Sequence, residues 1–140
     1  MPDNEQTVAT PSLPPTKAAA FHAFWAQFGV PAYEENSVPD GDDSTGFPRL
    51  TYEFGTDAFG DYSLSLTASL WYRDSSWVPV NAKAEEISAV IGRGGVMIPC
   101  DGGGFWITRG SPWMLSSGDE NDDQIKRKII NINVLWITET

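Results

Sequence analysis

Two segments of the chain place apolar residues at the spacing of an amphipathic helix. From Lys17 to Phe28, four aromatic residues recur at positions i, i+3, i+4 and i+7, which predicts a helix with one aromatic stripe. These residues are Phe21, Phe24, Trp25 and Phe28. Gly29 and Pro31 end the helix, because proline lacks the backbone donor that a further turn needs. A continuous aromatic stripe indicates a face that packs into a core rather than a ligand site.

The second predicted helix begins near Ser75 or Ser76 and ends at about Ile91. Serine is a favourable N-cap, and Pro79 suits the first turn, where its missing N–H leaves no bond unmade. The stripe that we expect to face inward consists of Val80, Ala84, Ile87 and Ile91. A glycine cluster at residues 92–95 ends this helix, since glycine readily adopts the left-handed backbone of a helix C-terminus.

Alternation of apolar and polar residues predicts five strands. They run from Leu50 to Phe54, from Tyr62 to Tyr72, from Val96 to Pro99, from Phe105 to Arg109 and from about Ile125 to Thr138. A turn around residues 58–61 makes the first two an antiparallel hairpin. Residues 110–124 contain polar and acidic side chains, so this stretch is expected to be a connection rather than a strand.

The order of these elements predicts the fold class. It is α+β, with a mainly antiparallel sheet packed by two helices in the order α-β-β-α-β-β-β. A chain of 140 residues suits one domain, which we assign to residues 17–140. Residues 1–16 contain four prolines and few apolar side chains, which predicts a flexible Pro-rich N-terminal arm. Such an arm is either a disordered tail or a segment that docks on a neighbouring subunit.

The charge balance excludes several classes of partner. Nine Lys and Arg stand against 19 Asp and Glu, which gives a net charge of −10. Nucleic-acid phosphates and anionic membranes bind clustered cations, so neither is an expected partner. No apolar segment reaches the roughly 20 residues that span a bilayer. The first twenty residues also lack a secretory signal, and we expect the protein to fold in a cytoplasm.

Catalytic chemistry has little support in the sequence. His22 is the one histidine, and no G-x-S-x-G motif accompanies it. A single cysteine, Cys100, excludes an intrachain disulfide and a thiolate zinc site. The glycine clusters at 92–95 and 102–104 favour turns over a phosphate loop, because neither opens a helix. The acidic stretch at 40–51 lacks the glycine and the glutamate of a calcium loop. We therefore expect that the protein is not an enzyme. We also expect that it has no catalytic, cofactor-binding or metal-binding residues and no cofactor.

Several residues outside the predicted core have the chemistry of protein interfaces, where Trp, Met and Arg are enriched. One tryptophan lies on the strand face opposite Leu70, one arginine lies in the first glycine cluster, and the others lie in or beside the connection at 110–124. The five candidates are Trp71, Arg93, Arg109, Trp113 and Met114. They either cover their own sheet or form an assembly surface.

Five segments together resemble the tail terminator proteins of long-tailed phages. The resemblance is closer to the short tail-completion or "minor capsid" proteins of siphophages and their prophages. It runs from about Ala18 to the C-terminus, and its specificity comes from the order of the segments and the matching α-β-β-α-β-β-β plan. The segments are LTASLWYR at 66–73, KAEEIS at 83–88, IGRGG at 91–95, IPCDGG at 98–103 and IININV at 129–134.

This resemblance implies a structural virion protein. Members of the family form a homo-hexameric ring that caps the finished tail tube and joins it to the head–tail connector or stopper protein. The chain is then expected at the head–tail junction, in the neck of the virion, after synthesis in the host bacterial cytoplasm. Genomic DNA would pass through the lumen without specific binding, and the five candidate residues would contact other subunits or the tail tube protein.

Two other functions stay open at the level of sequence. The first is another head–tail connector component, such as a stopper or head-completion protein, which would differ by binding a portal-side adaptor instead of the tail tube. The second belongs to a different class: a small sugar-binding or hydrolytic module that uses exposed tryptophans. Substitution of Trp113 by alanine would then abolish ligand binding without changing the oligomeric state.

Overall fold

The computed structural model describes residues 15–38, 46–56 and 63–138. Two α-helices, six strands and one 3-10 helix (Glu35–Ser37) make up this part of the chain. The α-helices are α1 (Lys17–Ala26) and α2 (Val78–Ile91). The strands are β1 (Ala32–Glu34), β2 (Arg49–Tyr52), β3 (Leu64–Arg73), β4 (Val96–Cys100), β5 (Gly103–Gly118) and β6 (Ile125–Thr138). The predicted arm, apart from residues 15 and 16, lies outside the described residues, as do the predicted turn at 58–61 and the acidic residues 40–45.

The strands form one mixed sheet in the order β1-β2-β3-β6-β5-β4. Only β1 and β2 pair in parallel, and the other four pairings are antiparallel. The predicted α+β class with a mainly antiparallel sheet and two helices is therefore confirmed. The predicted element order is wrong by one strand, because β1 precedes the strand that we expected to be first. Strand β1 has three residues, which is too short for an alternation of apolar and polar side chains to predict it.

Both helices pack on the same face of the sheet, and their apolar stripes form a single core with it. The sequence predicted both stripes correctly, since all eight residues are buried. Opposite them lie the alternate residues of the central strands. These are Leu50, Tyr52, Ala68, Leu70, Phe105, Ile107, Ile130, Ile132, Val134 and Trp136. The other face of the sheet carries neither α1 nor α2, and we call it the open face.

Helix α2 ends where the glycine cluster begins. Gly92 has φ +68°, a left-handed backbone that suits glycine, and its N–H donates to the Ser88 carbonyl at 2.8 Å. At the other end the helix begins at Val78, slightly later than predicted, and the Val78 N–H donates to Ser76 Oγ at 3.0 Å. Pro79 lies in the first turn, as expected.

The largest error in the predicted secondary structure concerns strand β5, which is longer than expected. The expected connection at 110–124 is strand as far as Gly118, so Trp113 and Met114 lie on a strand and not in a loop. The register between β5 and β6 shifts between Arg109 and Met114, which places the turn-type residues 110–112 in an irregularity within a continuing strand. A Cβ on Gly110 would lie 2.8 Å from the Asn131 carbonyl oxygen, so only glycine fits this close approach.

Among the described residues, neither helix has the length and apolar character needed to cross a membrane.

Candidate functional site

The structure divides the five interface candidates among three places. Arg109, Trp113 and Met114 come together on the helix side of the sheet, beside α2. Trp71 lies on the open face, because it is the neighbour of the buried Leu70 along β3. Arg93 is exposed in the turn that follows α2. The candidates therefore do not form one continuous surface.

Ser88 of α2 is the centre of the first group. Its carbonyl accepts a hydrogen bond from Arg109 Nη2 at 3.0 Å, and its Oγ accepts one from Trp113 Nε1 at 3.1 Å. The Arg109 guanidinium lies over the Trp113 ring, 5.1 Å from its centroid. These contacts tie β5 to α2, and the guanidinium covers one face of the indole. Trp113 and Met114 still line a cavity of about 420 Å³ together with polar residues of α2.

The open face has an apolar end formed by β4, β5 and β6. Three large apolar side chains are well exposed there: Met97 by 53%, Trp106 by 42% and Ile137 by 37%. Met97 and Trp106 are direct cross-strand partners, and Leu135 is the next partner of Trp106 in the same row. We call Met97, Trp106, Leu135 and Ile137 the apolar patch.

The middle of the open face is polar. Ser65 and Thr67 of β3 donate hydrogen bonds to Asn133 and Asn131 of β6, at 3.2 and 3.0 Å. These pairs separate the apolar patch from the opposite end of the face.

The opposite end is a row of two arginines around one tryptophan. Arg49, Trp71 and Arg127 are direct cross-strand partners on β2, β3 and β6. The guanidinium carbons of Arg49 and Arg127 lie 5.4 and 4.6 Å from the Trp71 ring centroid. Trp71 Nε1 donates to Thr51 Oγ1 at 3.0 Å. A cavity of about 400 Å³ opens beside this row, and we call it the arginine pocket.

Potentially reactive groups elsewhere have structural surroundings. His22 Nδ1 lies 2.9 Å from the Tyr52 hydroxyl, and burial, together with the negative charge of Glu34, raises the pKa of Tyr52. Burial also raises the pKa of the Cys100 thiol, which keeps it protonated and weakly nucleophilic. Across the described ranges, no group of three or more His, Cys, Asp or Glu side chains is placed to hold a metal ion.

The acidic turn between β5 and β6 contacts the sheet through Asp122. Its Oδ2 accepts a hydrogen bond from Arg73 Nη1 at 2.6 Å, and its Oδ1 accepts one from the Gln124 N–H at 3.0 Å. The backbone N–H of Gln124 and then the Arg73 side chain hold the pKa of this carboxyl below its usual value. The Arg73 guanidinium is thereby engaged by an acid of its own chain.

Neither the arginine pocket nor the apolar patch was predicted from the sequence. Part of the patch could have been predicted from the alternation in β5, because Trp106 lies between Phe105 and Ile107, which are both buried. The arginine pocket could not be predicted from the sequence, because Arg49 and Arg127 lie 78 positions apart. They come together only through the pairing of β2, β3 and β6.

Comparison of the chain with protein-family models, with curated proteins and with solved structures gives no match.

Proposed function

We propose that this protein is a structural subunit of a phage tail, a tail terminator whose copies close into a hexameric ring on the tail tube. The proposal rests on the sequence resemblance and on the α+β architecture. One structural observation supports a role in assembly: the apolar patch on the open face. Under this proposal the protein is not an enzyme, and it acts through contacts with its own copies, the tail tube and the connector at the head–tail junction of the virion.

The apolar patch favours assembly on physical grounds. Clustered apolar side chains on a protein surface often mark a protein contact. Here a tryptophan and a methionine, both enriched at interfaces, lie side by side on neighbouring strands. A contact between this patch and a different surface of the next copy would be heterologous, and heterologous contacts close into rings when the rotation permits.

The oligomeric mass in solution tests the proposal. We expect native mass spectrometry of the purified chain, alone or after addition of tail tubes, to detect a species of six copies. The substitution Met97→Lys places a charge in the patch, at a side chain that is 53% exposed and can reach solvent, and it should abolish this species. Val90→Lys is the matched control, since Val90 is also exposed, by 41%, but lies on α2. A strict monomer under both conditions would contradict the proposal, and normal assembly of Met97→Lys would show that the apolar patch is not the contact between copies.

The other connector components remain the second candidate. A stopper or head-completion protein would use the same kind of exposed patch, so the bound partner separates the two functions. Binding to tail tubes supports the terminator, and binding only to a portal-side adaptor supports the alternative. A sugar-binding module based on Trp113 has less support, because Arg109 covers one face of that indole and Ser88 holds its N–H.

A further inference from the structure

We infer that the arginine pocket is a binding site for carboxylates, and that the ligand is an acidic side chain of a polypeptide segment. The inference goes beyond the proposed function, because it concerns the end of the open face that lies away from the apolar patch. It rests on the charge, the unused donors and the shape of the described residues around Arg49, Trp71 and Arg127.

Stacking holds both guanidiniums in place, and neither forms an ion pair with an acidic side chain of the described residues. Stacking against Trp71 orients them, and Arg49 also lies over the Phe47 ring, 5.0 Å from its centroid. Within the described residues, the ion pairs are Arg73–Asp122 and Lys83–Glu86, so neither includes Arg49 or Arg127. Arg49 Nε is buried and has no hydrogen-bond partner in the same part of the chain. The described residues therefore give the two guanidiniums no carboxylate partner, and an anion in the pocket would supply one.

The hydroxyl groups of the pocket also present donors. Ser69 Oγ accepts a hydrogen bond from Arg127 Nε at 3.1 Å, and Thr51 Oγ1 accepts one from Trp71 Nε1. Each hydroxyl acts as an acceptor in this contact, and among the described residues neither O–H donates to a partner. Two guanidiniums and two hydroxyls thus offer donors to the same space, and the complementary ligand is an acceptor with negative charge.

A carboxylate fits these donors better than a phosphate. The planar fork of a guanidinium matches the two oxygens of a carboxylate. Glu35 and Glu53 line the same pocket, and their charge disfavours a phosphate dianion more than a carboxylate monoanion.

The two glutamates favour a carboxylate that is carried on a polypeptide. Glu53 Oε1 already accepts the Thr67 N–H at 2.7 Å, whereas Glu35 is exposed at the mouth of the pocket. A peptide brings backbone N–H groups next to its acidic side chain, and these can donate to Glu35. A free dicarboxylate such as succinate has no donor and would place a second negative charge there.

Nuclear magnetic resonance of the ¹⁵N-labelled chain tests the inference directly. The probes are a capped peptide of alternating Gly and Asp, the same peptide with Asn in place of Asp, succinate and inorganic phosphate. We expect the Asp peptide to shift the Nε–H signals of Arg49 and Arg127 and the indole signal of Trp71 in a saturable manner. The Asn peptide should leave them unchanged.

Substitution of the arginines supplies the specificity control. Arg127→Gln should weaken binding of the Asp peptide by about tenfold or more, since it removes charged hydrogen bonds. Arg93→Gln removes the same charge from the exposed turn after α2 and should bind normally. Arg49→Lys keeps the charge but loses the planar fork, so it should also weaken binding, and it serves if Arg127→Gln fails to fold.

Three results would overturn the inference. The absence of saturable shifts with the Asp peptide would exclude the site. Tighter binding of phosphate would exclude carboxylate as the preferred ligand, and equal binding of succinate would exclude the polypeptide as its source. The oligomeric mass measured for the proposed function does not depend on these titrations, so the two proposals can fail separately.

Discussion

Removal of the Phe21 side chain should destabilise the protein more than any surface change. Phe21 lies on α1 and is fully buried. Its ring lies close to one aromatic ring of α1 and to four aromatic rings in or beside strands β2, β5 and β6. The centroids lie 5.4 Å from Phe54, 5.5 Å from Phe105, 5.6 Å from Tyr52, 6.2 Å from Trp136 and 6.4 Å from Trp25. Phe21→Ala leaves a cavity among these rings, and such truncations cost about 3–5 kcal/mol. That loss is a large part of the roughly 5–15 kcal/mol that stabilises a typical domain.

Urea unfolding, followed by far-ultraviolet circular dichroism, measures this loss. With a denaturant slope of about 2 kcal/mol per molar urea, a loss of about 4 kcal/mol lowers the midpoint by about 2 M. Phe21→Leu fills part of the cavity and should cost about 1–2 kcal/mol. Val78→Ala is the matched surface control, because Val78 is 71% exposed and should change stability by less than about 0.5 kcal/mol. If Phe21→Ala cost no more than this control, α1 would not pack on the sheet as described.

Three further predictions follow from individual contacts. Gly110→Ala places a Cβ 2.8 Å from a carbonyl oxygen of β6, and it should lower the free energy of unfolding in urea by about 1–3 kcal/mol. Gly94→Ala is the control, because a Cβ there has no atom within 4 Å and should leave the stability unchanged. Equal losses of stability in the two variants would contradict the close approach at Gly110. Asp122 has a pKa lowered by a backbone N–H two residues along the chain and by Arg73, so its stabilising effect is full above about pH 3.9 and is lost as the pH falls through the native pKa. The difference in thermal midpoint between the wild type and Asp122→Asn should therefore shrink on acidification, and a constant difference would refute the assignment. Cys100, 5% exposed and with a pKa raised by burial, should react with iodoacetamide only after unfolding; rapid alkylation of the native chain at pH 8 would contradict its burial.

The parts of the fold that sequence reasoning predicted correctly are those with a long, regular pattern. The stripe predicted for α2 consists of four buried residues, and the alternation that predicted β6 is present in the structure, where Ile130, Ile132, Val134 and Trp136 are buried. Both elements are amphipathic over many residues. The spacing of their apolar residues therefore matches the geometric period of the helix or strand, and the side that it predicts is the side that is buried.

The errors have a common physical origin in contacts between distant residues. Gly110 and Pro112 are turn-type residues, yet the pairing with β6 carries β5 past them through a shift in register. Backbone pairing thus overrode the local preference of the chain. The arginine pocket is hidden in the same way, since the register that aligns Arg49, Trp71 and Arg127 is a property of three paired strands and not of any one segment.

The position of β6 in the middle of the sheet determines the order in which the fold can be completed. β6 is the last strand of the described chain, but it pairs with β3 on one side and β5 on the other. Ala68 and its partner Ile130 are 62 positions apart, so this central pairing requires a long loop to close and should make folding slow. Until β6 has left the ribosome, β3 and β5 are edge strands with unpaired backbone groups and an uncovered apolar face. A nascent chain that is interrupted before residue 125 is consequently prone to aggregation. Pairing with β6 removes this risk, because it satisfies the exposed backbone groups of β3 and β5.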